Sequence, residues 1–73
     1  MSKLPVISAR RCIRALQKIG FVIDRQEGSH ITLIRENPPN RVTVPNHKTL
    51  KPGMLRSIIR QAGLTVDEFV NLL

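Results

Sequence analysis

Two histidines are the side chains best suited to chemistry in this sequence of 73 residues. His30 follows the pair Gly28-Ser29, and His47 lies within the polar segment 46–48. An imidazole gains and loses a proton near neutral pH, so it can serve as a general base or a general acid. Glycine permits a tight turn that a phosphate can approach closely. The pattern favours proton transfer on a phosphate ester, with His30 as the stronger candidate.

Among phosphate esters, RNA is the substrate that requires the fewest catalytic groups from so small a protein. It carries its own nucleophile, the 2′-hydroxyl, so the protein needs only to move protons and to stabilise charge on the phosphate. The alternative for His30 is a surface histidine without a catalytic role. For His47 the alternative is a loop, Asn46-His47-Lys48, that contacts phosphate or caps a helix.

Charge supports a polyanionic partner. Twelve Lys and Arg against five Asp and Glu give a net charge of +7, which favours nucleic acid through counterion release. Two Phe and no Tyr or Trp leave nothing from which to build a base-stacking platform. Solubility or an acidic protein partner is the alternative explanation of the charge. The cations expected to hold an RNA backbone are Arg10, Arg14, Lys18, Lys48, Lys51, Arg56 and Arg60.

Metal and cofactor motifs do not occur in the sequence. It has no HExxH, CxxC or phosphate-binding glycine loop, and its scattered acids do not resemble the carboxylate cluster of a two-metal nuclease. Cys12 falls in the apolar stripe of a predicted helix, where cysteine behaves as a small hydrophobic residue. We expect neither a metal nor a small-molecule cofactor.

Length and cysteine content bound the organisation and the compartment. The sequence predicts one domain over residues 1–73. Its apolar runs are too short to span a membrane, and the N-terminal segment lacks the apolar run of a secretory signal. A single cysteine cannot form an internal disulfide. We expect a cytoplasmic protein with no membrane contact.

The hydrophobic pattern predicts an α+β fold. Helices are expected over 9–19 and 52–62, strands over 21–26, 30–35 and 41–44, and a short C-terminal helix after a capping box formed by Thr65 and Glu68. Residues 37–40, Asn-Pro-Pro-Asn, are expected to be a turn that cannot continue a ladder. Short turns between the strands indicate a three-stranded antiparallel sheet with the helices on one face.

Strand alternation assigns the two faces of that sheet. Apolar residues at 31, 33, 42 and 44 share the face that the helices must cover. His30 therefore projects from the open face or its rim. Ile34 shares that open face, where the fold does not explain an apolar side chain and contact with a partner is one explanation.

Four segments resemble the HicA-type toxins, also called YcfA-like mRNA interferases. Residues 16–21, LQKIGF, resemble the L-x-K-x-G-F opening of the family, and residues 26–30, QEGSH, its GSH segment. Residues 42–47, VTVPNH, resemble its V-x-V-P-x-H segment, and residues 50–64, LKPGMLRSIIRQAGL, its second helix. The resemblance covers residues 8–73 in order. Met54 departs from the family, which often has threonine there.

The resemblance implies a double-stranded-RNA-binding-domain-like fold and a ribosome-independent, metal-independent endoribonuclease that acts on mRNA. By this resemblance His30 corresponds to the catalytic histidine of the family, and Gly28 and Ser29 correspond to the segment that positions that histidine. His47 matches the second histidine of the family, in a positioning or structural role. It also implies a toxin that is neutralised by a HicB-type antitoxin.

Two other functions stay open at this point. A non-catalytic double-stranded-RNA-binding-like module would use the basic helices and leave His30 without a role. A DNA-binding regulator would use the second helix for recognition, although the order of elements lacks a helix-turn-helix pair.

Overall fold

Three helices and three strands follow one another in the predicted order along the described part of the chain. The structure is a computed structural model and describes residues 3–73. The elements are α1 (Ala9–Gln17), β1 (Val22–Glu27), β2 (His30–Glu36), β3 (Pro39–Pro45), α2 (Pro52–Gln61) and α3 (Val66–Val70). The strands form an antiparallel sheet in the order β1-β2-β3. The predicted α+β fold, with three antiparallel strands and helices, is confirmed.

The buried face of the sheet is the predicted one. Ile31 and Leu33 of β2 lie opposite Val44 and Val42 of β3, and all four side chains are buried with the apolar stripes of α1 and α2. Removing each such side chain from water contributes about 1.5–3 kcal/mol. On the other face Ile34 stays partly exposed.

Local hydrogen bonds determine where the helices begin and end. Ser8 Oγ accepts from the Arg11 N–H at 3.2 Å at the start of α1. The predicted capping box starts α3: the Glu68 N–H donates to Thr65 Oγ1 at 3.1 Å, and the Thr65 N–H donates to Glu68 Oε1 at 2.8 Å. Helix α1 ends two residues earlier than predicted, because the N–H groups of residues 18–20 bond carbonyls three residues back.

The prediction that residues 37–40 interrupt the ladder is wrong. Pro39 pairs with Glu36 and Asn40 pairs with Arg35, so β3 begins two residues earlier than expected. Proline is tolerated there because it is the first residue of an edge strand and no ladder hydrogen bond requires its nitrogen. The connection is thus only Asn37 and Pro38, joined by a cis peptide bond.

Strand β1 is the exposed edge of the sheet. All six of its side chains are exposed, and its register with β2 shifts between Ile23 and Arg25, which leaves Asp24 as a bulge. Because the sheet has three strands, β3 forms the other edge.

Candidate active site and basic groove

His30 is the first residue of β2 and lies on the open face of the sheet. Its register partners are Glu27 on β1 and Pro45 on β3, and it is exposed to solvent. Alternation from the buried Ile31 places it on the same face as Thr32. An imidazole in this position is accessible to a large substrate.

The turn before His30 is held from two directions. Gly28 adopts a φ of +58°, in the left-handed region, and its carbonyl oxygen accepts from Gln26 Nε2 at 3.0 Å. The carbonyl oxygen of Ser29 accepts from the backbone N–H of Asn46. These two bonds restrain the backbone that carries the imidazole, which is what proton transfer by a positioned group requires.

His47 belongs to the loop that connects β3 with α2. Its N–H donates to the Pro45 carbonyl at 2.8 Å, and its own carbonyl accepts from the Ala9 N–H at 3.0 Å. The backbone of His47 therefore satisfies a free N–H at the start of α1. His47 lines a cleft of about 440 Å³ between the loop and α1, together with Ser8, Arg10, Asn46 and Lys48.

A second cleft, of about 340 Å³, lies between α1 and β1. We call it the α1–β1 groove. Its lining comprises three isoleucines, two arginines and three amide side chains, without an acid: Ile13, Ile23, Ile31, Arg10, Arg14, Gln17, Gln26 and Asn46. Arg10 and Asn46 also line the His47 cleft, so the two clefts form one cationic surface. His30 lines neither of them.

The seven cations expected to hold RNA do not gather on one surface. Arg10 and Arg14 line the α1–β1 groove, and Lys48 lines the His47 cleft. Arg56 and Arg60 line a separate cleft of about 300 Å³ beside α3. Lys18 lines a further cleft with Arg11 and Arg14, and its Nζ donates to the Leu72 carbonyl at 2.6 Å. Lys51 is the N-cap residue of α2.

Sequence reasoning missed two residues that hold the turn. Gln26 reaches the turn through its side chain, and Asn46 reaches it through its backbone. A glutamine two residues before Gly28 was the only signal for the first contact. The second contact joins residues distant in sequence, and it follows only from the register of β2 and β3.

In residues 3–73, neither a reactive cysteine nor a cluster of metal ligands accompanies His30. Cys12 is buried in α1, and burial raises the pKa of its thiol from 9.0 to about 12, so it stays protonated near neutral pH. Within residues 3–73, no three His, Cys, Asp or Glu side chains lie close enough together to hold a metal ion. Independence from metal stays a prediction.

Comparison with known families gives one match. A family model described as the HicA toxin of bacterial toxin-antitoxin systems matches residues 9–64. This match extends from the first residue of α1 to just beyond α2 and includes both histidines. The chain belongs to the HicA toxin family. Among curated proteins, none matches the chain.

Membership of the HicA family implies an antitoxin partner for this toxin. The matched region contains all eleven residues that the sequence singled out for catalysis, positioning and RNA contact, whereas α3 lies beyond it. In this HicA-family chain the backbone carbonyl of Leu72 still bonds the side chain of Lys18.

In the described part of the chain, no helix has the length and apolarity needed to cross a membrane.

Proposed function

We propose that this HicA-family toxin is an endoribonuclease that cuts mRNA with His30 as its catalytic residue. The observation that carries the proposal is the exposed imidazole at the end of a turn braced by Gln26 and Asn46. A binding module has no need of a restrained, exposed histidine beside a left-handed glycine. Residues 1–73 form a single toxin domain that works in the cytoplasm, needs neither metal nor ribosome, and is inhibited by a HicB-type antitoxin.

The reaction uses the 2′-hydroxyl of the RNA as the nucleophile. His30 accepts the proton of that hydroxyl as the 2′-oxygen forms a bond to the adjacent phosphorus. The bond between phosphorus and the 5′-oxygen breaks, and the leaving oxygen takes a proton from solvent. The products are a 2′,3′-cyclic phosphate and a 5′-hydroxyl.

The cations contact different phosphates of the RNA substrate. Arg10, Arg14 and Lys48 line the two clefts that share Asn46, the residue bonded to Ser29, and they hold the phosphates that flank the cut. Lys18, Lys51, Arg56 and Arg60 contact more distant phosphates of a longer RNA. Because no aromatic platform accompanies these cations, binding rests on phosphate contacts and its sequence preference is weak.

The antitoxin inhibits by covering His30 and part of the cationic surface, which excludes RNA physically. Charge complementarity favours an acidic partner, because the toxin carries a net charge of +7.

End-group analysis of the products tests the chemistry. We expect labelled single-stranded RNA to yield 2′,3′-cyclic phosphates with the native chain and no products with His30→Ala. RNA in which the 2′-hydroxyls are methylated should resist cleavage. Products that end in a 3′-hydroxyl would contradict the proposed reaction, and binding without cleavage would move the protein to the non-catalytic RNA-binding class.

A further inference from the structure

The outer edge of β3 is closed against a further strand. The N–H of Arg41 donates to Asn40 Oδ1 at 2.8 Å, and the N–H of Thr43 donates to Gln61 Oε1 at 3.3 Å. Both N–H groups thus point away from β2. Because the direction alternates along a strand, positions 39 and 45 point the same way, and both are prolines without an N–H. At every outward position of β3, therefore, the backbone N–H is either already hydrogen-bonded within the chain or absent because the residue is proline.

The outer edge of β1 has no such protection. Thr32 lies opposite Thr43, so its backbone groups face β1, where its partner is Arg25. It follows that Ile23 and Gln26, which pair with the alternate residues of β2, direct their N–H and C=O groups to the free edge. In residues 3–73 neither N–H donates to a turn, a loop or a side chain.

The side chains of β1 also suit a partner. Val22 is 56% exposed and Ile23 is 52% exposed, on opposite faces of the strand. Val22 lies opposite the partly exposed Ile34, and Ile23 lines the α1–β1 groove. Proteins usually guard an exposed edge with proline, charged side chains such as lysine, or a bulge. Strand β1 has neither proline nor lysine, and its edge is marked by the bulge at Asp24 and by the exposed ion pair of Arg25 with Glu27.

We propose that β1 receives an extended, acidic strand of the antitoxin, which adds a fourth strand to the sheet. The inference rests on the proposed function, because it identifies the surface by which the inhibitor is held. Charge favours this occupant over a second copy of the chain. Arg10 and Arg14 line the adjoining groove, and none of its lining residues is acidic. A second copy would bring another net charge of +7 to this surface. Acidic side chains of the added strand pair with both arginines, which removes them from RNA.

Lysine substitutions at the edge test the docking surface. Ile23→Lys and Val22→Lys place a charge among the expected apolar contacts, and each should weaken binding of the cognate antitoxin by about tenfold or more in calorimetry. Val6→Lys is the matched control, because Val6 is 67% exposed and lies outside the sheet. It adds the same charge and should bind as the native chain does. Equal affinity of all four proteins would overturn the proposal.

Amide hydrogen exchange tests the backbone contacts themselves. The N–H groups of Ile23 and Gln26 should exchange fast in the free toxin and slowly once the antitoxin is bound. Protection by a 2′-O-methyl RNA oligonucleotide instead would make the edge an RNA site and overturn the proposal. Protection that rises with toxin concentration, together with a doubled mass in sedimentation, would overturn it in favour of a second copy.

The failure of this proposal can be told apart from failure of the proposed function. His30→Ala should abolish RNA cleavage and still show antitoxin-dependent protection of the Ile23 and Gln26 N–H groups, whereas Val22→Lys, which lies outside the α1–β1 groove, should cleave RNA normally and bind the antitoxin weakly. Cleavage that persists in His30→Ala would contradict the catalytic assignment while leaving the docking result intact.

Discussion

The backbone N–H of Asn46 donates a hydrogen bond to the carbonyl oxygen of Ser29. This bond continues the pairing of β2 with β3 by one step beyond their paired ends, His30 and Pro45. It joins the residue before His30 to the residue before His47, although they lie far apart in sequence. The two histidine segments are therefore joined directly by a backbone hydrogen bond.

Gly28→Ala should separate the role of the turn from the stability of the fold. The left-handed backbone of Gly28 costs a residue with a Cβ about 1–2 kcal/mol, although nothing lies within 4 Å of the added carbon. We expect the free energy of unfolding in urea to fall by that amount. The rate of RNA cleavage should also fall, because relief of the strain shifts the turn that carries His30.

Gly63→Ala provides the matched control for that experiment. Gly63 has a φ of +76° and likewise has no atom within 4 Å of an added Cβ, but it lies after α2. It should lose similar stability and keep the native cleavage rate. Equal loss of rate in both variants would show that Gly28 acts through general stability alone.

The alternation of apolar residues was enough to predict the sheet and its buried face. Ile31 and Leu33 had to share a side, and helices with apolar stripes had to cover it. The start of β3 could not be predicted, because whether a proline interrupts a ladder depends on the direction in which its nitrogen points. That direction is a property of the register, which places Pro39 at an outward position.

The candidate site was only partly accessible from the sequence. His30, Gly28 and Ser29 were found because they adjoin one another in the chain. The contact of Asn46 with Ser29 and the closeness of Arg10 to the His47 loop depend on long-range packing. Local spacing along α1 also suggested that Lys18 acts with Arg14, and the two residues line one cleft. The bond of Lys18 Nζ to the Leu72 carbonyl depends on long-range packing and could not be predicted.

Arg14 and Lys18 should differ in their contribution to RNA binding. Arg14 lines the α1–β1 groove, whereas Lys18 Nζ is already bonded to the Leu72 carbonyl. With a 2′-O-methyl RNA that is not cleaved, Arg14→Ala should reduce the slope of log K against log salt by about 0.7, as expected for one phosphate contact to a single strand. Lys18→Ala should change it less. Equal changes in slope would show that both cations contact phosphate.

The buried thiol of Cys12 should make stability fall at alkaline pH. In the unfolded chain the thiol ionises near its ordinary pKa of 9.0, whereas in the fold it keeps its proton up to about pH 12. This stabilisation is complete below pH 9 and is lost as the pH rises through that window, by up to about 1.4 kcal/mol per pH unit.

Urea unfolding at pH 8 and pH 10 measures this effect. The native chain should lose more stability between the two pH values than Cys12→Ala does, since the variant lacks the titrating group and all other groups are the same. An identical pH dependence in the two proteins would contradict the assignment of this effect to Cys12.

Cleavage of labelled single-stranded RNA in excess EDTA tests whether His30 is the catalytic residue of a metal-independent endoribonuclease. Three folded proteins are compared: the native chain, His30→Ala and His47→Ala. We predict cleavage by the native chain, none by His30→Ala, and reduced but measurable cleavage by His47→Ala, because its backbone contacts to Pro45 and Ala9 survive the loss of the imidazole. Native-level cleavage by His30→Ala, or loss of cleavage in His47→Ala alone, would contradict the assignment of catalysis to His30.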